Sequence, residues 1–162
     1  DRGLQRCEEG LLEGATAVPL VVVDGSSDGL AGMPPGLRTY LERRELPEGT
    51  VLIRQDEQPD DVFVLESGRL SVETVTPEGT RMRLRTLRPG VVVGEMAMYT
   101  GVPRSADVVA ETPSVVLRLS RGSIERVEAA DPALAAALHR WLATTLSERL
   151  GESLRAFDAL FD

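Results

Sequence analysis

The stretch Val91–Ala110, V-V-V-G-E-M-A-M-Y-T-G-V-P-R-S-A-D-V-V-A, constrains the fold more than any other part of the chain. An apolar run of valines ends at Gly94. A helix-compatible segment, Glu95 to Tyr99, follows and is broken by Gly101 and Pro103. Arg104-Ser105-Ala106 then leads into a second β-branched run. This pattern predicts two strands joined by a loop–helix–loop, with a glycine where strand hands over to helix. A helix start exposes unpaired backbone N–H groups and the positive end of the dipole, which makes it a seat for an anion. Gly94 has no Cβ to hold a ligand off that backbone. Arg104 can add a two-pronged, charge-assisted grip on phosphate. Glu95, an acceptor-only group in the first turn, suits a sugar hydroxyl. Together they suggest a nucleotide or a sugar phosphate.

The flanking sequence supplies the frame. Val51-Leu52-Ile53 and Val62-Phe63-Val64-Leu65 are β-rich runs on either side of a polar turn, Asp56 to Asp61. Leu70 to Thr74 alternates apolar and polar, and Pro77-Glu78-Gly79-Thr80 is a hairpin connection. Arg81 to Leu87 alternates again. Read as a regular strand, it sets Arg81, Arg83 and Arg85 on one face and Met82, Leu84 and largely Thr86 on the other. That arginine row reads as a solvated face or a meeting place for an acidic partner. Asp107 to Ala110 and Val115 to Leu119 give two more strands. Short strands at this spacing predict a small antiparallel barrel or roll, so the fold class is α+β with helices at both ends.

Gly36 to Arg44 is expected to form a short helix. Gly122 to Ala129 forms another. Asp131-Pro132 is an N-cap with proline at the first helical position, opening a helix to about Leu160. Its apolar stripe runs through Leu134, Leu138, Trp141, Leu142, Leu146, Leu150, Leu154 and Phe157. At the other end, residues 1–13 read as an amphipathic helix with Leu4, Cys7, Leu11 and Leu12 on one face. Residues 14–36 hold five glycines and three prolines and read as a linker. Residues 37–162 then form the main domain.

Several function classes are excluded or disfavoured. The net charge of −8 and the absence of a basic stripe make phosphate-backbone binding to nucleic acid a poor prospect. One cysteine and one histidine leave no Cys/His metal site and no internal disulfide, and they fit a reducing, cytoplasmic compartment. The longest apolar runs are far too short to span a bilayer. Gly25-Ser26-Ser27-Asp28-Gly29 matches a nucleophile elbow, which needs a helix directly after the serine. Leu30-Ala31-Gly32-Met33-Pro34-Pro35 cannot supply one, so the segment reads as a turn and no catalytic residue is assigned. Cys7 reads as a small core residue, a redox role being its alternative.

At G-E-M-A and P-R-S-A the sequence resembles the phosphate-binding cassette of the cyclic nucleotide-binding domain family. The resemblance extends through L-P-E-G-T-V-L-I-R-Q, D-D-V-F-V-L-E-S-G and L-R-P-G, and covers Leu37 to Leu154. It implies a jelly-roll-like β-roll of the catabolite activator kind, with the cassette inside and a C-terminal helix that can close over the base. It also implies a ligand site at Gly94, Glu95, Met96, Ala97, Arg104, Ser105 and Ala106. In it Glu95 holds the ribose 2′-hydroxyl, and Arg104 and Ser105 hold the cyclic phosphate of cyclic AMP or cyclic GMP. Val72 and Leu84 fall at positions that line the base pocket, and Arg149 falls where the last helix meets the purine. A solvent-facing Arg149 paired with Glu152 is the alternative. Three residues depart from the pattern. Val93 replaces a common aromatic, Asp56 a common glycine, and Asp107 an uncharged residue, which is therefore expected to point outward.

Asp1 to Leu12 resembles the last helix of a STAS domain in SulP-type anion transporters. With no methionine at the start, the chain reads as a piece of a longer protein: a regulatory, non-enzymatic sensor on the cytoplasmic side of a membrane transporter. It would need no cofactor beyond its ligand, and its C-terminal helix could form a homodimer. One rival is the ligand-binding half of a catabolite activator-type transcription regulator, which needs a helix-turn-helix after the long helix. Another is a degenerate roll that serves only interaction or dimerisation.

Overall fold

The structure is a computed structural model that describes residues 30–58, 60–104 and 106–161, apart from the side chain of Met96. The expected N-terminal helix with Cys7, the linker up to Gly29 and the Gly25–Gly29 turn lie outside the described residues, as does Ser105.

The described residues form a 3-10 helix at Pro35–Tyr40, then eight strands and three helices. The strands are β1 (Glu42–Leu46), β2 (Val51–Ile53), β3 (Asp61–Ser67), β4 (Leu70–Val75), β5 (Arg81–Leu87), β6 (Val92–Val93), β7 (Asp107–Ala110) and β8 (Ser114–Ser120). Helix α1 (Glu95–Thr100) sits between β6 and β7, and α2 (Arg121–Ala130) and α3 (Pro132–Ala159) close the chain. All strand pairs are antiparallel, in two sheets of order β1-β8-β3-β6 and β2-β7-β4-β5. This is the β-roll with C-terminal helices that the sequence predicts.

In the first sheet, β3 and β6 are buried on both faces. Along β3, Val62 and Val64 point to one side and Phe63 and Leu65 to the other, and all four are buried. Val62, Val64, Val92 and Leu119 meet Leu37, Ile124, Val127, Leu138, Trp141 and Leu142 in a core between sheet and helices. Phe63, Leu65, Val93 and Val116 face the roll interior, against Leu46, Ile53, Leu70, Leu87 and Val108 of both sheets. A strand buried on both sides needs an unbroken apolar run, which is what V-F-V-L supplies. Each such side chain contributes about 1.5–3 kcal/mol of transfer free energy.

The second sheet is apolar only toward the interior. Its outer face carries ion pairs: Arg81 with Glu73 at 2.7 Å and with Asp107 at 3.3 Å, and Arg83 with Glu111 at 2.9 Å. Asp107, whose other oxygen accepts the Gln55 N–H at 2.6 Å, is held by these outer groups. Asp56 takes a left-handed φ of 69°, the glycine-favouring conformation that aspartate tolerates better than most residues.

Two local expectations are corrected. The short helix predicted to run to Arg44 ends at Tyr40, and Glu42–Leu46 pairs with β8 as an edge strand. Its E-R-R-E-L sequence shows no alternation, because an edge strand filled with charges is shielded from further pairing rather than half-buried. The single-faced row of three arginines is also broken. Val72 pairs with Arg85 and Glu73 with Arg83, so Leu84 is an extra residue in a β-bulge. The bulge resets the alternation. Arg81 and Arg83 stay outside, while Arg85 turns toward the roll interior.

Candidate functional site

The cassette segment folds as its glycines require. Gly94 caps α1 at φ 91°, and Gly101 ends it at φ 71° with its N–H on the Ala97 carbonyl at 2.8 Å. A Cβ on Gly94 would lie 2.7 Å from both the Arg104 Nη1 and the Asp61 carbonyl. Glycine is therefore needed for space as well as conformation. Helix α1 has only six residues, so its dipole is short and the charge at this site comes mainly from side chains.

Arg104 is 7% exposed. Its Nη1 donates to the Gly94 carbonyl at 2.8 Å and its Nη2 to the Asp61 carbonyl. Burial lowers its pKa, opposed by Asp61 and Glu95, and a guanidinium stays charged regardless. Glu95 is 1% exposed, and burial raises its pKa above 4.5 against the opposing pull of Arg149 and Arg104. Arg149 reaches in from α3: its Nη1 donates to Glu95 Oε1 at 2.7 Å and its Nη2 to the Val92 carbonyl. Its partner is thus Glu95, 54 residues away in the chain. No local spacing rule signals that pairing.

These groups border a cavity of about 260 Å³. Gly94, Glu95, Ala97, Arg104 and Ala106 line the cassette side, Ile53, Val72, Leu87, Val93 and Val108 supply apolar walls, and Arg85 and Arg149 complete it. Of the residues expected at the site, Gly94, Glu95, Ala97, Arg104, Ala106, Val72 and Arg149 are brought together here. Leu84 does not line the cavity, since the bulge gives that place to Arg85. Ser105 lies outside the described residues, and the Met96 side chain is not described. Arg85 is the charged cavity residue that sequence reading missed, and the apolar walls Ile53, Leu87, Val93 and Val108 were not assigned to the site either. A bulge formed without glycine leaves no mark in an alternating pattern. Among the described residues no group of three His, Cys, Asp or Glu side chains could hold a metal ion.

A second polar link ties the cassette to the helices behind it. Tyr99 of α1 hydrogen-bonds His139 Nδ1 of α3 at 2.8 Å, and His139 Nε2 lies 3.4 Å from Glu128 Oε1 of α2. The His139 ring thus bridges the cassette helix and α2. Burial and the charge of Glu128 raise the Tyr99 pKa.

Roll, cassette and helices together define a cyclic nucleotide-binding domain. Residues 43–131, over half of the chain, match the cyclic nucleotide-binding domain family, and the chain belongs to that family. A cyclic nucleotide-gated potassium channel of Mesorhizobium japonicum is 33% identical over 116 residues, covering 72% of this chain and 30% of the channel. The anaerobic regulatory protein of Bacillus subtilis is 25% identical over 113 residues, covering 68% of this chain and 47% of that protein. The chain thus spans less than half the length of either curated relative. Among solved structures, a cyclic nucleotide-binding domain from Methylobacillus flagellatus superposes with a TM-score of 0.68 at 22% identity, covering 82% of this chain and 84% of that one. The Thermus thermophilus catabolite activator protein superposes with a TM-score of 0.62 at 24% identity, covering 88% and 62%. These two likenesses concern the fold alone. Among the described residues no helix is long and apolar enough to cross a membrane.

Proposed function

We propose that the cavity binds a cyclic nucleotide, cyclic AMP or cyclic GMP, and that the domain works as a sensor rather than a catalyst. Arg104, with Ser105, takes the cyclic phosphate. Glu95 accepts the ribose 2′-hydroxyl, Gly94, Met96, Ala97 and Ala106 form the surrounding backbone cradle, and Val72 and its apolar neighbours enclose the base. One observation carries this reading: a buried guanidinium is packed so tightly against Gly94 that no side chain fits there. Arg149 makes the site a sensor. It ties α3 to the carboxylate that the ribose would use, so ligand shifts the balance of α3 contacts if it binds the two arrangements differently.

The test is calorimetric titration with both nucleotides. Micromolar or tighter binding is expected, weakened at least about tenfold by Arg104→Ala, because a charge-assisted hydrogen bond contributes about 1.5–3 kcal/mol. Unchanged affinity in the variant would remove the phosphate assignment. No binding by the wild-type chain would favour an interaction module.

The wider setting is also a proposal. Leu150, Leu154, Phe157, Leu160 and Phe161 are exposed at the end of α3, and we place a homodimer contact there, testable by sedimentation of the wild type against Leu154→Glu. The acidic charge argues against nucleic-acid partners, and a saturable gel shift at low salt would contradict that. Attachment to a SulP-type transporter at the cytoplasmic face rests on Asp1–Leu12, and the potassium-channel relative supports a membrane-transport setting. The parent reading frame decides it: a helix-turn-helix downstream would point instead to a transcription regulator.

A further inference from the structure

Arg104 is held entirely by backbone. Its N–H donates to the Glu57 carbonyl at 3.0 Å, its carbonyl accepts the Asp56 N–H at 2.8 Å, and its two guanidinium prongs go to the carbonyls of Gly94 and Asp61. The polar turn that supplies these groups also carries four carboxylates, on Asp56, Glu57, Asp60 and Asp61. None of them forms an ion pair with Arg104 among the described residues, and three are taken by other arginines. The difference is chemical. A guanidinium held by neutral carbonyls keeps its charge for an anion, whereas one paired with a carboxylate must give up that partner before it takes a phosphate.

The three outer pairs are unequal. Arg54 lies 3.9 Å from Glu57 and Arg121 3.7 Å from Asp60, and all four of these side chains are more than half exposed. The side chains of Arg118 and Asp61 are only 26% and 22% exposed. Arg118 grips the carboxylate with two prongs, Nε to Oδ2 at 3.0 Å and Nη2 to Oδ1 at 3.2 Å, while its Nη1 reaches Glu42 Oε2 at 2.9 Å. Strand register sets up this grip. On β8, Arg118 stands opposite Glu42 of β1 and Phe63 of β3, one diagonal step from Asp61. Asp61 therefore does two separate things: its carbonyl holds Arg104, and its carboxylate is held by Arg118.

We propose that Arg118 is a positioning residue for phosphate binding: by occupying the Asp61 carboxylate, it leaves Arg104 with carbonyl partners alone and its charge free for the ligand. Arg118 does not line the cavity, so it acts only through Asp61. Without Arg118, a free carboxylate sits on the very residue whose carbonyl holds Arg104. Turned toward the guanidinium, that carboxylate competes with the phosphate. Left in place, its uncompensated charge repels the phosphate. This rests on the cavity being the nucleotide site.

Calorimetric titration of the wild-type chain and its variants with cyclic AMP and cyclic GMP is the test. Arg118→Gln, which loses the charge and keeps much of the length, is expected to weaken the nucleotide that binds at least about threefold. Adding Asp61→Asn removes the freed charge and should bring the affinity back to within about twofold of the wild type. Asparagine cannot restore the ion pair, so a merely structural role for Arg118 predicts no recovery in the double variant. Unchanged affinity in Arg118→Gln, or a loss that Asp61→Asn does not reverse, overturns the inference while leaving the site in place. Failure of both nucleotides to bind the wild type overturns the site and the inference together. Arg118→Met, a second uncharged and unbranched replacement, is read in the same way if Arg118→Gln folds poorly.

Discussion

The two sheets of the roll solve different problems. Inside its charged edge strand, the first is packed on both sides, by the helices on one face and by the roll interior on the other. The second has apolar packing only inside, and part of that inner face borders the cavity rather than other side chains. Its outer face is held by ion pairs between half-exposed arginines and less exposed carboxylates, which solvent around the arginines keeps individually weak. A doubly packed sheet cannot accept a bulge in mid-strand without sending core residues to the wrong face. The irregularity in β3 accordingly falls after Leu65, beyond its V-F-V-L run. The second sheet can accept one, and its bulge brings Arg85 to the cavity. The frame is therefore fixed on one side and chemically adjustable on the other.

The comparison is tested most severely at the frame. Leu65→Ala, at a fully buried position, is expected to cost about 2–5 kcal/mol in denaturant unfolding. A loss below about 1 kcal/mol would mean the first sheet is not the structural support described here. An intermediate effect is expected from pH at the cavity. The Glu95 carboxyl, raised above 4.5 by burial, takes up its proton more readily folded than unfolded. By linkage it favours the fold below that ordinary value, and the contribution fades as pH rises through the raised one. On the proposed reading, Glu95 takes the ribose hydroxyl as a carboxylate. Nucleotide binding should therefore weaken on acidification while the pH is still above 4.5, and Glu95→Gln should flatten that part of the profile. A profile unchanged by the substitution would detach Glu95 from binding. The smallest effect belongs to the outer face of the second sheet. Arg83→Ala should shift stability by no more than about 1 kcal/mol, because the arginine of the pair it breaks is half exposed and Glu111 keeps Arg69 as a partner. A larger loss would give that sheet a share in the frame.

Much of this architecture was legible because it is periodic. The spans of β2, β3, β4 and β5 follow from apolar runs and alternation, and Asp131-Pro132 marks the start of α3, with the Asp131 side chain accepting the Leu134 N–H at 3.1 Å. The cassette was legible because glycines and Arg104 are confined to positions where backbone geometry leaves little choice. What escaped reading was non-local or aperiodic. The charged run of β1 is a strand through its pairing with β8. The turn of Arg85 depends on register across a hairpin, and the Arg149–Glu95 pair joins residues that only the folded chain brings together. The stripe on α3 was readable as apolar, but its division between core and surface was not. Leu138, Trp141 and Leu142 are buried, while Leu150, Leu154 and Phe157 are exposed, because the roll ends before the helix does.

The Tyr99–His139–Glu128 contact has a practical consequence. His139 is the sole histidine in the chain, so its two carbon-bound ring protons give the one pair of imidazole signals in a proton magnetic resonance spectrum, assigned without labelling or mutagenesis. That ring touches the cassette helix through Tyr99 and α2 through Glu128 while riding on α3. A change in the relative placement of the three helices alters the ring's magnetic environment, so the molecule carries its own reporter of whether occupancy of the cavity is felt outside it.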